Sequence, residues 1–191
     1  MSLNDFVLSQ LPPPPARVLE VGCGPGDLAR ALDAEGYVVV AIDPEAPAGE
    51  IFRPIRLDEL EDPDQFDAVV AGRSLHHIHD LGAALDHVAS IAPLVVVEEF
   101  AWDRADEATL AWYAGQKGEE ITPASWAAEH DGLHGYDVMR GELDARFDER
   151  YFEWLPYFHR DLPGRPESLE REQIDTGRIR PTAFRYVGER R

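Results

Sequence analysis

The chain alternates between short apolar runs and longer amphipathic segments over residues 16–100. The runs are mostly aliphatic, which is typical of strands that are covered on both faces. They predict five strands, at residues 17–21, 37–42, 51–57, 66–71 and 94–97. Helical spacing between them predicts a helix that Asp27 caps and Gly36 ends, and another over residues 81–91. This alternation is typical of a doubly wound, mostly parallel α/β sheet with right-handed crossovers.

Beyond Phe100 the pattern becomes mainly helical. It predicts three helices, near residues 107–114, after Thr122 and over 135–145. Thr122 followed by Pro123 is a strong start signal, because proline suits the first helical position behind a capping threonine. The pattern then predicts a strand, a helix and a last strand, at residues 150–155, 166–176 and 181–187.

Length and composition fit one domain over residues 1–191, because 44% hydrophobic residues are enough to fill its core. We expect a core at about 16–100 and 149–191 and a helical insert at about 101–148. No run approaches the ~18 apolar residues that cross a bilayer, so no membrane association is expected. The N-terminus lacks the pattern of a secretory signal. Cys23 is the single cysteine, which excludes an internal disulfide and fits a reduced, cytoplasmic setting.

Acidic residues outnumber basic ones, and the formal net charge is −19. The two signs balance after Arg146, so the whole excess lies before that residue. Nucleic-acid binding depends on lysine and arginine side chains that neutralise phosphates, so this surface disfavours nucleic acid as a partner. The simpler interpretation is that the excess charge keeps the chain soluble.

Three glycines at alternate positions, Gly22, Gly24 and Gly26, lie between the first strand and the following helix. Glycine lets the backbone adopt positive φ and approach a ligand, and a helix N-terminus offers unpaired N–H groups. A dinucleotide site would need glycine or alanine where Asp27 stands, so the spacing disfavours NAD and FAD. No Gly-Lys-Ser/Thr follows, which excludes a P-loop. The glycines therefore predict another kind of ligand site at this edge of the sheet.

Residues 20–26, which read Glu-x-Gly-x-Gly-x-Gly after an apolar strand, resemble the first motif of class I S-adenosylmethionine-dependent methyltransferases. Residues 66–78 resemble the family's pattern after its fourth strand, and the resemblance extends over residues 18–100. It implies a Rossmann-like methyltransferase fold, a doubly wound, mostly parallel seven-stranded sheet, here with a helical insert after the fifth strand. It also implies S-adenosylmethionine as cofactor and S-adenosylhomocysteine as product.

The same resemblance implies roles toward the cofactor. Asp43 ends the second strand, where the family's acidic residue accepts hydrogen bonds from both ribose hydroxyls. Asp58 is a looser match to the residue that meets the adenine amino group, and Glu20 matches the one near the amino-acid end. Cys23 has a second interpretation as a small packing residue. The cofactor-binding set predicted in this way is Glu20, Gly22, Cys23, Gly24, Gly26, Asp43, Pro44, Asp58 and Arg73.

The absence of two motifs excludes two classes of methyl acceptor. Family members that methylate amino groups of adenine or glutamine share Asn/Asp-Pro-Pro-Tyr after the fourth strand, where residues 72–75 read Gly-Arg-Ser-Leu. Cytosine C5 methylation needs a cysteine nucleophile at the same place, and Cys23 lies elsewhere. We therefore expect transfer to an oxygen or nitrogen atom of a small molecule. A non-catalytic S-adenosylmethionine-binding module is the alternative, because a fold does not determine function.

Three histidines are candidate general bases, because imidazole titrates near neutral pH. His76 and His77 follow the fourth strand at the ligand edge, although this pair equally suits packing of the next helix. His130 lies in the insert, where it either faces a substrate or packs. Glu98 and Glu99 end the fifth strand, and strand alternation lets at most one of them face the pocket. No metal site is predicted.

The insert over residues 101–148 is expected to form a lid over the substrate. About 16 residues precede the first strand, so another segment has to exclude water from the ligand edge. The insert contains Trp112, Tyr113, Trp126 and Tyr136, which suit the walls of a mostly apolar pocket. Burial of these aromatic residues against the sheet is the alternative. The sequence leaves the oligomeric state open.

Overall fold

The computed structural model describes residues 1–61 and 65–191, and within them the strands form one seven-stranded sheet. The strands are β1 (Arg17–Val21), β2 (Val38–Ile42), β3 (Phe52–Arg53), β4 (Ala68–Gly72), β5 (Leu94–Phe100), β6 (Phe147–Leu155) and β7 (Ala183–Arg190). Their order across the sheet is β3-β2-β1-β4-β5-β7-β6. The first five strands are parallel, whereas β7 lies antiparallel between β5 and β6. The order reverses between β1 and β4, where the carboxyl ends of the strands border a crevice.

Helices pack on both faces of this sheet. The described residues form α1 (Leu3–Gln10), α2 (Asp27–Ala34), α3 (Leu81–Ile91), α4 (Glu107–Lys117), α5 (Pro123–Glu129), α6 (Tyr136–Arg146) and α7 (Glu167–Asp175). α5 begins as predicted, because Thr122 Oγ1 accepts the Ser125 N–H at 3.1 Å and Pro123 takes the first helical position. The prediction of a doubly wound, mostly parallel sheet is confirmed. In the part of the chain that the structure describes, no helix has the length and apolar character needed to cross a membrane.

The N-terminus of α2 differs from the sequence expectation. Gly26, not Asp27, is the N-cap, and it adopts the left-handed conformation with φ 83°. A Cβ at Gly26 would lie 2.4 Å from an atom of the Phe52 ring, so a larger residue does not fit there. Asp27 is instead the first helical residue and forms an ion pair with Arg30 at 3.5 Å.

Several strands differ in length from the expectation, and β6 begins at Phe147 instead of residue 150, whereas β7 covers Ala183–Arg190 instead of 181–187. β3 covers only two of the residues 51–57, because Pro54 has no N–H for the strand ladder and Leu57–Glu59 forms a 3₁₀ turn. β5 continues three residues beyond the expected end, since it pairs with β7 as far as Phe100, opposite Ala183. The longer β5 carries both of its terminal glutamates inside the sheet.

α6 lies within the expected insert but belongs to the main core. Met139 and Leu143 are fully buried and pack in the cluster that contains Leu85 of α3 and Phe184 of β7. A helix packed in this way is part of the layer that covers the sheet. The part of residues 101–148 outside the main core therefore consists mainly of α4 and α5.

α4 and α5 are held by an aromatic cluster, which comprises Phe100, Leu110, Tyr113, Trp126, Phe158 and Leu162. Tyr113 stacks on Phe158 with ring centroids 4.1 Å apart, and Trp126 meets Phe158 edge-on at 5.7 Å. The Trp126 indole N–H also donates to the Trp102 carbonyl at 3.0 Å. These contacts support the alternative interpretation, in which the aromatic residues bury the insert.

Glu170 of α7 holds the segment that follows β6. It is fully buried, and its carboxylate accepts the backbone N–H groups of Tyr157, Phe158 and His159 at 2.8–3.1 Å. Its Oε2 also lies 3.2 Å from His159 Nδ1. A buried carboxylate needs such donors, because an unpaired one is costly to remove from water. The arrangement fixes the backbone after β6 from α7, which lies 11 to 13 residues further along the chain.

We expect Leu143→Ala to lower the free energy of unfolding by about 2–5 kcal/mol, because it leaves a cavity in the main core. Val138→Ala on the same helix is the matched control, since Val138 is 49% exposed and its truncation should cost no more than about 0.5 kcal/mol. Urea unfolding followed by circular dichroism measures both. Equal, small effects would contradict the placement of α6 in the core.

Candidate functional site

A cleft of about 650 Å³ lies at the carboxyl ends of β1, β2 and β4, where the strand order reverses. β1 and β2 contribute Val21, Gly22, Ile42, Asp43 and Pro44 to its wall. The remaining lining residues follow β3 and β4 or lie on α3, namely 55–58, Arg73, Ser74, 77–80, Ala83, Ala84 and His87. This position at the topological switch point is where open α/β sheets bind ligands.

The glycines between β1 and α2 meet different neighbours. All three have positive φ, of 74° at Gly22, 49° at Gly24 and 83° at Gly26. A Cβ at Gly22 would lie 2.3 Å from Ser74 Cβ, whereas a Cβ at Gly24 would have no atom within 4 Å. Gly22 is therefore required by the close approach of the chain after β4. Gly24 borders open space, which leaves room for a ligand beside the backbone.

Asp43, the residue after β2, holds the glycine segment with its carboxylate. Its Oδ2 accepts the Gly24 N–H at 3.0 Å, and its Oδ1 accepts the Glu45 N–H at 2.8 Å. An ionised carboxylate has about four acceptor positions, so two remain for hydroxyl donors of a ligand. Asp58, also in the cleft wall, accepts from Arg56 Nε at 3.1 Å.

Glu20 lies in β1, two residues before Gly22, and is only 4% exposed. Within the described residues its Oε2 has no hydrogen-bond partner. Burial raises its pKa to about 7, and the charges of Asp27 and Asp43 act in the same direction, whereas the Ala29 N–H acts against them. A buried acidic oxygen without a donor suits a cationic group nearby.

The turn after β4 reaches the cleft through a backbone conformation that is uncommon for its sequence. Arg73 is left-handed with φ 61°, and its N–H donates to the Glu98 carbonyl at 2.7 Å. Ser74 Oγ donates to the Val21 carbonyl at 2.8 Å, and the Ser74 N–H donates to Glu99 Oε1 at 2.6 Å. Both Arg73 and Ser74 thereby line the cleft.

The three candidate bases occupy different surroundings. His77 lines the cleft, and partial burial, assisted by the charge of His76, lowers its pKa from the usual value. His76 is buried outside the cleft lining, with its Nδ1 2.6 Å from Glu99 Oε2. His130 is buried on the insert, where its Nδ1 lies 2.8 Å from the Trp126 carbonyl. Of the three, His77 is the one placed to meet a ligand in the cleft.

The predicted cofactor residues divide into two groups. Those in the cleft wall are Gly22, Asp43, Pro44, Asp58 and Arg73. Those that do not line it are Glu20, Cys23, Gly24 and Gly26. Cys23 packs in the core on the α1 and α2 face, and burial raises the pKa of its thiol to about 11, which supports its interpretation as a packing residue. No group of three possible metal-ligating side chains is found in the parts of the chain described here.

Sequence reasoning did not identify the contribution of α3 to the cleft. Ala83, Ala84 and His87 line it from one face of this helix. The small and polar residues at 83, 84 and 87, on the helix face next to the buried Leu85 and Val88, were the available signal. No described residue of 101–148 lines the cleft.

Comparison with known proteins gives a family match. A family model described as methyltransferase domain matches residues 2–155. A ubiquinone biosynthesis O-methyltransferase of Xylella fastidiosa (strain 9a5c) is 33% identical over 105 residues, 46% of this chain and 42% of that protein. A protein of the same name from strain M23 is 31% identical over 187 residues, 77% of this chain and 76% of that protein. The chain thus spans less than half the length of several curated relatives that it matches.

Similarity to solved structures extends over nearly the whole chain. The crystal structure of an S-adenosylmethionine-dependent methyltransferase from Mesorhizobium loti has a TM-score of 0.65 at 18% identity. The similarity covers 98% of this chain and 96% of that one. At this identity the similarity concerns the fold, and it confirms the prediction of a Rossmann-like methyltransferase fold.

The pKa of Glu20 predicts how stability changes with pH. Because folding raises this pKa from 4.5 to about 7, the protonated form favours the folded state, and the free energy of unfolding falls as pH rises through that range. The loss should reach about 3 kcal/mol by pH 8 in the cofactor-free protein, at about 1.4 kcal/mol per pKa unit.

The free energy of unfolding of Glu20→Gln should not show this loss as pH rises. Urea unfolding measures the free energy of unfolding of both proteins at pH 5 and pH 8. Subtracting the variant from the wild type at each pH removes the contribution of the other titrating groups. The same pH dependence in both proteins would show that Glu20 is not a buried ionisable group.

Proposed function

Because this chain belongs to the family of S-adenosylmethionine-dependent methyltransferases, we propose that it transfers a methyl group from that cofactor to an oxygen or nitrogen atom of a small molecule. The observation that carries the proposal is the cleft at the switch point, where Asp43 keeps free acceptor positions beside the open side of Gly24. A volume of about 650 Å³ lies within the usual ~300–1,000 Å³ of small-molecule sites.

S-adenosylmethionine is the cofactor of this family, and the residues around the cleft fit it. Asp43 would hold the ribose, Asp58 and Pro44 would border the adenine, and Glu20 would lie toward the amino-acid end. The unpartnered Oε2 of Glu20 supports this assignment, because the sulfonium and ammonium groups of the cofactor are cationic. When bound, the cofactor supplies a methyl carbon that is already electrophilic.

The chain's own residues then have to orient the acceptor and accept its proton. Holding two reactants in line supplies much of the rate acceleration in such a transfer. His77 is our proposed general base, because its lowered pKa keeps a ring nitrogen free to accept a proton at neutral pH. A general base contributes about 10²–10⁴ to the rate when the acceptor is a hydroxyl or protonated amine.

The acceptor class rests on charge and on the relatives. A net charge of −19 favours a small molecule over a nucleic acid, whose phosphates such a surface repels. The relatives from Xylella fastidiosa are named O-methyltransferases, which favours oxygen as the methylated atom in this chain too.

The insert acts on the cleft indirectly in this proposal. His134, between α5 and α6, donates its backbone N–H to the His76 carbonyl at 3.0 Å. Its Nε2 lies 2.8 Å from the Ile78 carbonyl. These two contacts hold the backbone on either side of His77 from outside the sheet. A movement of the insert would therefore shift this part of the cleft wall through His134.

A non-catalytic S-adenosylmethionine-binding module is the second candidate. We expect S-adenosylhomocysteine to form when the protein is incubated with S-adenosylmethionine and a panel of hydroxylated and amino-substituted aromatic compounds. Mass spectrometry detects S-adenosylhomocysteine and the methylated acceptor. Tight cofactor binding with no turnover of any acceptor would favour the binding module, whereas no cofactor binding would refute the proposal.

Asp43→Ala should weaken S-adenosylhomocysteine binding by about 1–3 kcal/mol, because it removes the acceptor of the ribose hydroxyls. Asp33→Ala is the control, since Asp33 is an exposed carboxylate on α2 and its loss changes the net charge equally. Isothermal titration calorimetry measures both affinities. Unchanged affinity in Asp43→Ala would mean that another group holds the ribose.

His77→Gln should lower kcat by about 10²-fold or more, because it removes the general base. In the wild type, kcat should rise with pH through a pKa below the usual ~6.5 of histidine, since only neutral His77 accepts a proton. The variant should lose this dependence. A pH profile that stays the same in His77→Gln would assign the base to another residue.

A further inference from the structure

The turn from Arg73 to His77 supplies three side chains to the cleft, those of Arg73, Ser74 and His77. Its conformation is not one that its own sequence favours. Arg73 is the one non-glycine residue with positive φ in the described chain, and such a residue needs support from its surroundings. The support therefore has to come from other elements.

Glu99, near the end of β5, provides that support from beneath the turn. It is fully buried, and its Oε1 accepts the N–H groups of both Ser74 and Leu75 at 2.6 Å. Its Oε2 accepts the Phe100 N–H at 3.0 Å and lies 2.6 Å from His76 Nδ1. One carboxylate thus collects three contacts from this short turn and one from its own strand.

The pairing with His76 extends this support to the cleft. Backbone N–H groups supply the other three contacts of this carboxylate, and His76 Nδ1–H as donor would make it the acceptor in all four. The His76 ring in turn contacts the ring of His77, with centroids 4.1 Å apart. The orientation of His77 in the cleft therefore depends on a buried neighbour that Glu99 holds.

Glu98, the residue before Glu99, has a different set of partners. Its carboxylate pairs with Arg160 at 2.6 Å and with Arg185 at 2.8 Å, away from the turn after β4. Glu99 has no arginine partner within the described residues, and its hydrogen bonds outside β5 all lie in that turn. The two glutamates thus divide between the two faces of β5, and Glu99 serves the cleft side.

We infer that Glu99 is a positioning residue of the methyl-transfer site, which acts through the backbone of Ser74 and Leu75 and through His76 to present Arg73 and His77 to the cleft. The inference rests on the proposed function, because it assigns the cleft to S-adenosylmethionine and its acceptor. A merely structural role would affect folding without altering the cleft.

The chain contains a matched control for that alternative. Glu170 is also fully buried and also accepts three backbone N–H groups and pairs with a histidine Nδ1, but it holds the segment after β6. It does not line the cleft, nor do the residues that it holds. Glu99→Gln and Glu170→Gln therefore remove the same kind of carboxylate from two places.

The experiment measures S-adenosylhomocysteine affinity by calorimetry at a temperature where circular dichroism shows all proteins folded. We expect Glu99→Gln to bind about tenfold more weakly or worse, because its amide cannot accept from donors on both sides. Glu170→Gln should stay within about twofold of the wild type, although both variants should melt earlier. Equal affinity in Glu99→Gln and Glu170→Gln would overturn the inference.

A second readout follows the histidines directly. In the wild type, nitrogen-15 spectra should show His76 protonated at Nδ1, and Glu99→Gln should change the signals of both His76 and His77. Unchanged signals of His77 would overturn the inference, whether or not cofactor binds. A wild type that binds no S-adenosylhomocysteine would instead refute the proposed function, so the two failures are distinguishable.

Should Glu99→Gln not fold, a pair of substitutions at His76 decides the same question. His76→Asn retains a donor near the position of Nδ1 but loses the ring contact with His77, so it should keep more of the S-adenosylhomocysteine affinity than His76→Leu. His76→Leu removes the donor. It should weaken S-adenosylhomocysteine binding about tenfold, because the carboxylate of Glu99 then loses a charge-assisted hydrogen bond. Equal affinities in the two variants would overturn the inference.

Discussion

The close contact between Gly22 and Ser74 is the constraint on which the ligand edge depends. A Cβ at Gly22 would overlap Ser74 Cβ at 2.3 Å, so the chain after β1 and the chain after β4 approach each other as closely as backbones allow. The Gly22 N–H donates to the Ile42 carbonyl at 2.8 Å and Ser74 Oγ to the Val21 carbonyl at 2.8 Å. The carboxyl ends of β1, β2 and β4 are therefore fixed relative to one another, and the cleft wall that they form is held rigidly.

Buried carboxylates then serve different ends according to their partners. Glu98 has two arginines, Glu99 and Glu170 have mainly backbone N–H donors, and Glu20 has an oxygen without a partner among the described residues. The first three are satisfied, so they stabilise particular backbone conformations. Glu20 is not, and burial raises its pKa to about 7. This unpartnered oxygen is the reason why the proposed function places Glu20 near the cationic end of the cofactor.

Sequence patterns predicted the elements and the ligand edge because those depend on local signals. Apolar runs marked the strands, and the spacing of Gly22, Gly24 and Gly26 marked the loop that the positive φ values require. The same patterns did not separate α6 from α4 and α5, since amphipathic helices look alike whether they cover the sheet or a small aromatic cluster. Nor did they predict the partners of Glu99. Strand alternation shows that Glu98 and Glu99 point to opposite faces of the sheet, but not which residues each one contacts.

The histidines show why position at the ligand edge is not sufficient evidence for catalysis. His76 and His77 are neighbours in sequence, yet His76 is buried against a carboxylate and His77 lines the cleft. The 3₁₀ turn at Leu75–His77 points consecutive side chains about 120° apart, so it directs one imidazole inward and the next toward the cleft. The inner ring then limits the movement of the outer one. The different roles proposed for these two adjacent residues therefore rest on their surroundings, a buried carboxylate for His76 and the cleft for His77.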